Sequence, residues 1–230
     1  MFRELPGSGV IRIEGNDAKK FLQGQLTCDV TLASNGRAIM GAHCNREGRI
    51  ISLFHLFLIE DAYYLLMQRS MIPIAISALK KYAVFFKAEI TDVSVESKEQ
   101  DSMQWKALMI NEGIPVIYPE TSGKFLPHEI NLHTLNAISF NKGCYTGQEI
   151  IARMHYRGKL KNHMRKMAIS SETQPFPGCD MYVLHETEWK LFGMVVDAIP
   201  QDNQYQLLVI TDKNTEDKTC QIKFESSLRN

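Results

Sequence analysis

Ten residues, Ile50-Ile51-Ser52-Leu53-Phe54-His55-Leu56-Phe57-Leu58-Ile59, constrain this chain more than any other stretch. A helix needs roughly 20 apolar residues to span a bilayer, so this run is too short, and it carries a histidine. It predicts a buried strand over 49–59 within a sheet. Residues 37–44 and 62–68 read as strands on either side, with Asp61 in a hairpin turn. Val10-Ile11-Arg12-Ile13 gives a further short strand. Asn16-Asp17 then offers capping oxygens to a helix whose apolar face uses Ala18, Phe21, Leu22 and Leu26. A second helix is expected over 74–85, because Ile74, Ser77, Ala78, Lys81 and Tyr82 recur at helical spacing behind Pro73. Another strand covers 88–95. The order β-α-β-β-β-α-β predicts an α+β fold, a sheet with helices on one side.

The remainder is less regular. Residues 95–104 (VESKEQDSMQ) form a polar connection, and Trp105 to Asn111 predicts a helix ended by Gly113 and Pro115. Residues 118–132 read as one long loop. Two prolines and small polar residues at 170–178 mark a boundary. Beyond it, 181–184, 189–197 and 205–211 predict the strands of a small antiparallel, barrel-like β domain. The expected division is therefore a domain over 1–168, a linker over 169–178 and a β domain over 179–230.

A chain of 230 residues can bury a substantial core. Its first residues, MFRELPGSGV, lack the apolar centre of a signal peptide. Five scattered cysteines (Cys28, Cys44, Cys144, Cys179, Cys220) contain no CxxC pair. Cytoplasmic residence, no disulfide framework, no sequence-evident metal site and no membrane contact are the expectations.

The net charge is zero, but it is unevenly spread. Residues 142–166 hold seven Lys/Arg against Glu149, a net of +6, whereas 167–230 hold five Lys/Arg against ten Asp/Glu, a net of −5. Arg153, His155, Arg157, Lys159, Lys161, His163 and Arg165 occupy every odd position from 153 to 165. In an extended strand they share one face, either a solvated edge or a ridge for polyanions; in a helix they do not.

At the head of that basic stretch stands Lys142-Gly143-Cys144-Tyr145-Thr146-Gly147-Gln148-Glu149, KGCYTGQE. Thr146 and Glu149 fit a capping box, followed by an apolar side from Ile150, Ile151 and Met154. Cys144 would lie two residues before that cap, where the helix dipole favours a thiolate and Lys142 adds positive charge. The alternative is a small buried apolar side chain at a tight turn. Trp105 is likewise either a core side chain or a flat surface for stacking.

KGCYTGQE, continuing through Ile150-Ile151-Ala152-Arg153 and Arg157-Gly158, resembles the signature of the YgfZ family, folate-binding relatives of the glycine-cleavage T-protein. GNDAKKFLQGQLTCDV (15–30), 79–85, 121–132 and 138–142 agree with it. The resemblance implies a T-protein-like folate-binding domain with a ferredoxin-like sheet and helices, shortened near 95–104. It implies tetrahydrofolate or a derivative as cofactor, and a role in iron–sulfur enzyme maturation or repair that supports tRNA modification. Iron–sulfur enzymes or their assembly factors would be partners, and the stretch 153–166 would contact RNA or a folate polyglutamate tail. Cys144 carries over as the functional thiol beside Lys142. Trp105, Asn111, Glu112, Tyr145, Gln148, Glu149, Arg153 and Arg157 are the residues expected at the ligand. Relatives often read Ile-Glu-Ala-Gly where this chain has Ile110-Asn111-Glu112-Gly113, and Ser8 stands where they place a tryptophan. Two alternatives are a glycine-cleavage-type aminomethyltransferase and a non-catalytic binding module. Any catalysis would be folate-dependent one-carbon or thiol chemistry.

Overall fold

The computed structural model describes residues 7–34, 36–95, 102–158, 160–212 and 222–225. Cys220, Lys159 and most of the 95–104 connection lie outside them. The described residues form two compact units. One takes those of Met1–Ser102 and Ile117–Gly158, the other those of Met103–Val116 and Lys159–Asn230.

The first unit is built on a five-stranded antiparallel sheet. The apolar run forms β3 (Ile50–Ile59), paired with β2 (Ile39–Cys44) on one side and β4 (Ala62–Gln68) on the other. β4 also pairs with β1 (Ser8–Glu14), which pairs in turn with β5 (Glu89–Asp92), giving the order β2-β3-β4-β1-β5. β1 is buried throughout Ser8–Ile11 and alternates only from there: Ile11 and Ile13 are buried completely, and the intervening Arg12 reaches Glu14 at 2.6 Å.

Helix α1 (Ala18–Gln25) buries Ala18, Phe21, Leu22 and Gln25. Asp17 precedes it without capping it; its carboxylate instead accepts from the Lys87 amide at 2.9 Å. Leu26, expected on the helical face, is the extended residue that ends α1 and is fully buried. Helix α2 (Ile72–Ala83) starts on Pro73 as expected, but its buried face is Ile72, Ala75, Leu79 and Ala83. The stripe chosen from sequence is displaced by about one position, because small alanines let the backbone lie close to the sheet while Lys81 stays in solvent.

The stretch 118–132 is ordered by β3. The Ile50 amide donates to Phe125 O at 2.9 Å, Gly123 N donates to Ile50 O at 2.7 Å, and the Arg49 guanidinium donates to Lys124 O.

In the second unit, α3 (Ser102–Asn111) ends at Gly113, whose φ of +68° suits glycine. Five antiparallel strands follow: β6 (Asn162–Ile169), β7 (Asp180–His185), β8 (Glu188–Gln201), β9 (Gln204–Asp212) and β10 (Ile222–Glu225). Their order is β10-β7-β8-β9-β6. β6 pairs with β9 from Asn162 to Ile169, so residues 162–168, expected in the first domain, and Ile169, expected in the linker, lie in the second sheet. Its core gathers Cys179, Met181, Val195, Leu207, Val209 and Phe224. No described helix is long and apolar enough to cross a membrane.

A β-bulge between Val195 and Asp197 places a carboxylate in this core. Asp197 is fully buried, accepts from the Ala198 amide at 2.9 Å and meets Lys106 Nζ of α3 at 2.8 Å. Removing the cation takes from the buried carboxylate the ammonium it meets. Lys106→Met is therefore expected to lower stability by about 3 kcal/mol in urea denaturation, and adding Asp197→Asn to recover part of the loss. Equal stability of Lys106→Met and the parent would remove this pair from the account.

Candidate functional site around the Cys144 loop

The KGCYTGQE segment is held through the end of α1. Thr27 organises the approach: its amide donates to Ala42 O, its hydroxyl donates to Ala137 O at 2.7 Å, and its carbonyl accepts from Ser139 N at 2.8 Å. The Ala42 amide donates back to Thr27 Oγ1. Lys142 then extends its ammonium to two carbonyls at that helix end, Leu26 O at 2.7 Å and Cys28 O at 2.9 Å. On the far side of the loop, Thr146 N donates to Gly24 O at 3.1 Å and its hydroxyl to Gln25 Oε1 at 3.2 Å. Cys144 is thus suspended between two anchors on one helix C-terminus, a place where cations and donors are favoured.

Between these anchors the side chains alternate in environment. Tyr145 is buried, its ring 5.1 Å from Lys142 Nζ. Cys144 is exposed, whereas Cys28, Cys44 and Cys179 are buried. The choice left open by the sequence is settled for geometry: this thiol is a surface group, not a core side chain.

The helix start differs from the expected capping box. α4 (Gln148–Arg157) begins after Gly147, whose φ is +82°, and no side chain caps it. A Cβ on Gly147 would lie 2.6 Å from Asn45 O in the turn joining β2 and β3. This left-handed residue delays the helix by one position. The Thr146 hydroxyl points to Gln25 instead, Gln148 Oε1 accepts from Tyr145 N at 3.3 Å, and Glu149 is exposed.

Burial dominates the local electrostatics. It pushes Lys142 down to about 8, opposed by Cys28 and Asp29, and pushes the Cys28 thiol up to about 12, opposed mainly by Lys142. The Tyr145 phenol is raised by burial and then by Cys44, and its hydroxyl has no hydrogen-bond partner among the described residues. His43, at the end of β2, is held near 4 by burial, with both ring nitrogens unpartnered among the described residues. Beside the loop lies a cavity of about 520 Å³ lined by Leu32, Met40 and Phe140 together with Asp29, Arg37 and Asn141.

Other expected residues divide between the units. Gln148 is half-buried, and Glu149, Arg153 and Arg157 are exposed, in the first unit. Trp105 is half-buried, and Asn111 and Glu112 are exposed, in the second; Asn111 O accepts from Lys166 Nζ at 3.0 Å. The seven-residue basic ridge is not one surface. Arg153, His155 and Arg157 are helical, whereas His163 and Arg165 lie in β6, so the period of two fails across the first three. Among the described residues, no group of three His, Cys, Asp or Glu side chains is arranged to hold a metal ion.

Sequence reasoning missed a second cluster. His128, His133, Phe140, His155 and Tyr156 pack their rings together, with Phe140 and His155 stacked at 3.8 Å. These residues are joined only by tertiary folding, so no periodicity connects them.

Lys142 carries a pH signature. Its folded pKa is lowered, so between about 8 and the ordinary lysine value the unfolded chain holds a proton that the folded chain has released. The parent is expected to gain stability relative to Lys142→Met as pH rises through that window, and to show the smallest advantage below it. Parallel denaturation curves for the two proteins at each pH measure the difference; a flat difference would contradict the burial of this amine.

No family profile matches the chain. It is 30% identical to an uncharacterized protein of Haemophilus influenzae, covering 94% of this chain and 90% of that one. It is 28% identical to the tRNA-modifying protein YgfZ of Aliivibrio fischeri, over 98% of this chain and 89% of the relative. The Klebsiella pneumoniae protein of that name is also 28% identical, over 88% and 82%. Among solved structures, the glycine cleavage system aminomethyltransferase T of Bartonella henselae superposes with a TM-score of 0.61 at 12% identity, covering 91% of this chain and 77% of that one. That likeness establishes the fold. With the complete KGCYTGQE loop on this T-protein-type framework, and relatives that match it along nearly its whole length, the chain belongs to the YgfZ family.

Proposed function

We propose that this protein is a folate-binding accessory factor that supports iron–sulfur enzyme maturation or repair and, through those enzymes, tRNA modification, with Cys144 as its functional thiol. The observation that carries the proposal is the exposed thiol of a complete KGCYTGQE loop, anchored on either side by Lys142 and Thr146. A group held this firmly yet open to solvent suits a nucleophile, redox group or transient ligand that meets a partner. The relatives' name, tRNA-modifying protein, supports the pathway. The T-protein fold supports folate.

The first unit's residues fit such a cofactor. A cavity of about 520 Å³ lies within the range of small-molecule sites, and it mixes apolar walls with a few polar groups. Met40 and Phe140 would face the aromatic rings, Asn136 and Asn141 the pterin edge, and Arg37 the glutamate carboxylates. Arg153 and Arg157, exposed on α4 of the same unit, add cations for a longer glutamate tail. When bound, tetrahydrofolate would supply one-carbon carriage and an already reduced, oxidisable pterin. Lys142 fixes the loop, and Cys144 presents the thiol.

Titration with tetrahydrofolate, followed by fluorescence and calorimetry, is expected to saturate, and Arg37→Ala to weaken the binding by removing the cation that faces the glutamate carboxylates. The absence of saturation by both fluorescence and calorimetry would sink the folate assignment. In a host lacking its own copy, Cys144→Ser is expected to lose support of tRNA methylthiolation. Full rescue by that variant would leave a docking role alone. Because the fold is shared with an aminomethyltransferase, release of methylenetetrahydrofolate from an aminomethylated carrier would instead favour that second reading.

A further inference from the structure

The exposed end of α4 carries an arrangement that the Cys144 loop does not use. The His155 ring lies on Phe140 at 3.8 Å and 19°. Tyr156 meets His155 edge-on at 4.8 Å and Phe140 at 6.2 Å. Beneath them, His128 lies 5.8 Å from His155 and stacks on His133 at 5.1 Å. His128 is buried and held near 4, by desolvation first and then by its two histidine neighbours, so its own ring is neutral at physiological pH. The outer rings are open: Tyr156 is 69% exposed, and His155 is also exposed.

Charge surrounds those rings. Arg153 is three residues before Tyr156 and four before Arg157, so all three share one side of the helix. The acid on α4, Glu149, is a further turn away, towards the N-terminus. Ordered aromatic faces beside guanidinium groups match unpaired nucleotides, whose bases stack and whose phosphates pair with arginine. A base pair hides its faces within the duplex, so a helix of RNA would satisfy the arginines only.

We infer that His155 and Tyr156, backed by Phe140 and edged by Arg153 and Arg157, form a stacking platform for the unpaired bases of an RNA. The inference deepens the proposed role in tRNA modification and rests on it for the choice of RNA. The chemistry of the platform stands on the ring geometry.

Fluorescence anisotropy with a short labelled single-stranded RNA, and with the same strand annealed to its complement, tests the inference. Single-stranded RNA is expected to bind more tightly than the duplex. Tyr156→Ala should weaken it on the order of 5- to 100-fold, the effect of one lost base–aromatic stack, while Tyr156→Phe stays near the parent. Arg157→Ala should reduce the slope of log affinity against log salt by about 0.7, one phosphate contact on a single strand. No RNA binding, equal affinity for duplex, or equal losses in Tyr156→Ala and Tyr156→Phe would overturn the platform. So would a bound RNA that a polyglutamate peptide displaces with unchanged efficiency from Tyr156→Ala. The Cys144 complementation separates the two claims. Loss of function in Cys144→Ser alongside indifferent Tyr156 variants rejects the platform alone; rescue by Cys144→Ser with stacking-dependent RNA binding rejects the thiol role and keeps the platform.

Discussion

The last carbonyls of α1 need partners, and the first unit is arranged around how they receive them. A helix C-terminus leaves several carbonyl groups unpaired, and this one ends next to Thr27, in the middle of the unit. From more than a hundred residues further along the chain, Thr146 N donates to Gly24 O in the last turn, and Lys142 takes Leu26 O and Cys28 O in the extended segment that follows. The same contacts close the first unit and set the geometry of the Cys144 loop. Lysine suits the position because one compact ammonium with three donors reaches two carbonyls at once. Burial lowers its pKa, so fold stability and the protonation of the loop are linked through a single side chain.

That coupling explains why Cys144 is exposed without being loose. Gly143 places no side chain beside it, while Tyr145 on its other side is buried under the loop. Gly147 completes the turn because its backbone fits against Asn45 O, where a Cβ would be 2.6 Å away. The two glycines therefore have different tasks. One leaves the thiol open, and the other admits a close backbone approach and a left-handed turn.

Much of this was legible from residues alone. The ten-residue apolar run and its flanking alternation gave β2, β3 and β4, because side-chain period two is a local property. The pairing of KGCYTGQE with a helix start was also legible, but its cap was not. The choice between a Thr146 hydroxyl on the backbone and one on Gln25 depends on a helix 120 residues away in sequence. The α2 face slipped for a related reason: Ala75 and Ala83 are buried by close packing, which hydrophobicity counts rank poorly. The basic ridge failed because its alternation crosses from helix into strand, where one spacing points in two directions. The ring cluster had no local trace at all. Phe140 and His155 are fifteen positions apart, and only the fold lays one on the other.

α4 links the two surfaces that now matter. Its first residue follows the Cys144 loop, and Tyr156 comes eight residues later, roughly 12 Å along the axis at 1.5 Å per residue. A pterin is too small to touch both ends of that interval, whereas a few unstacked nucleotides span it easily. The helix is held at its start by Gly147 against the β2–β3 turn and at the end of its first turn by buried Ile151. An RNA stacked on Tyr156 would meet Cys144 across that interval. Thiol chemistry on a partner and recognition of an RNA are therefore compatible on this fold, since one helix lies between the groups that would serve them.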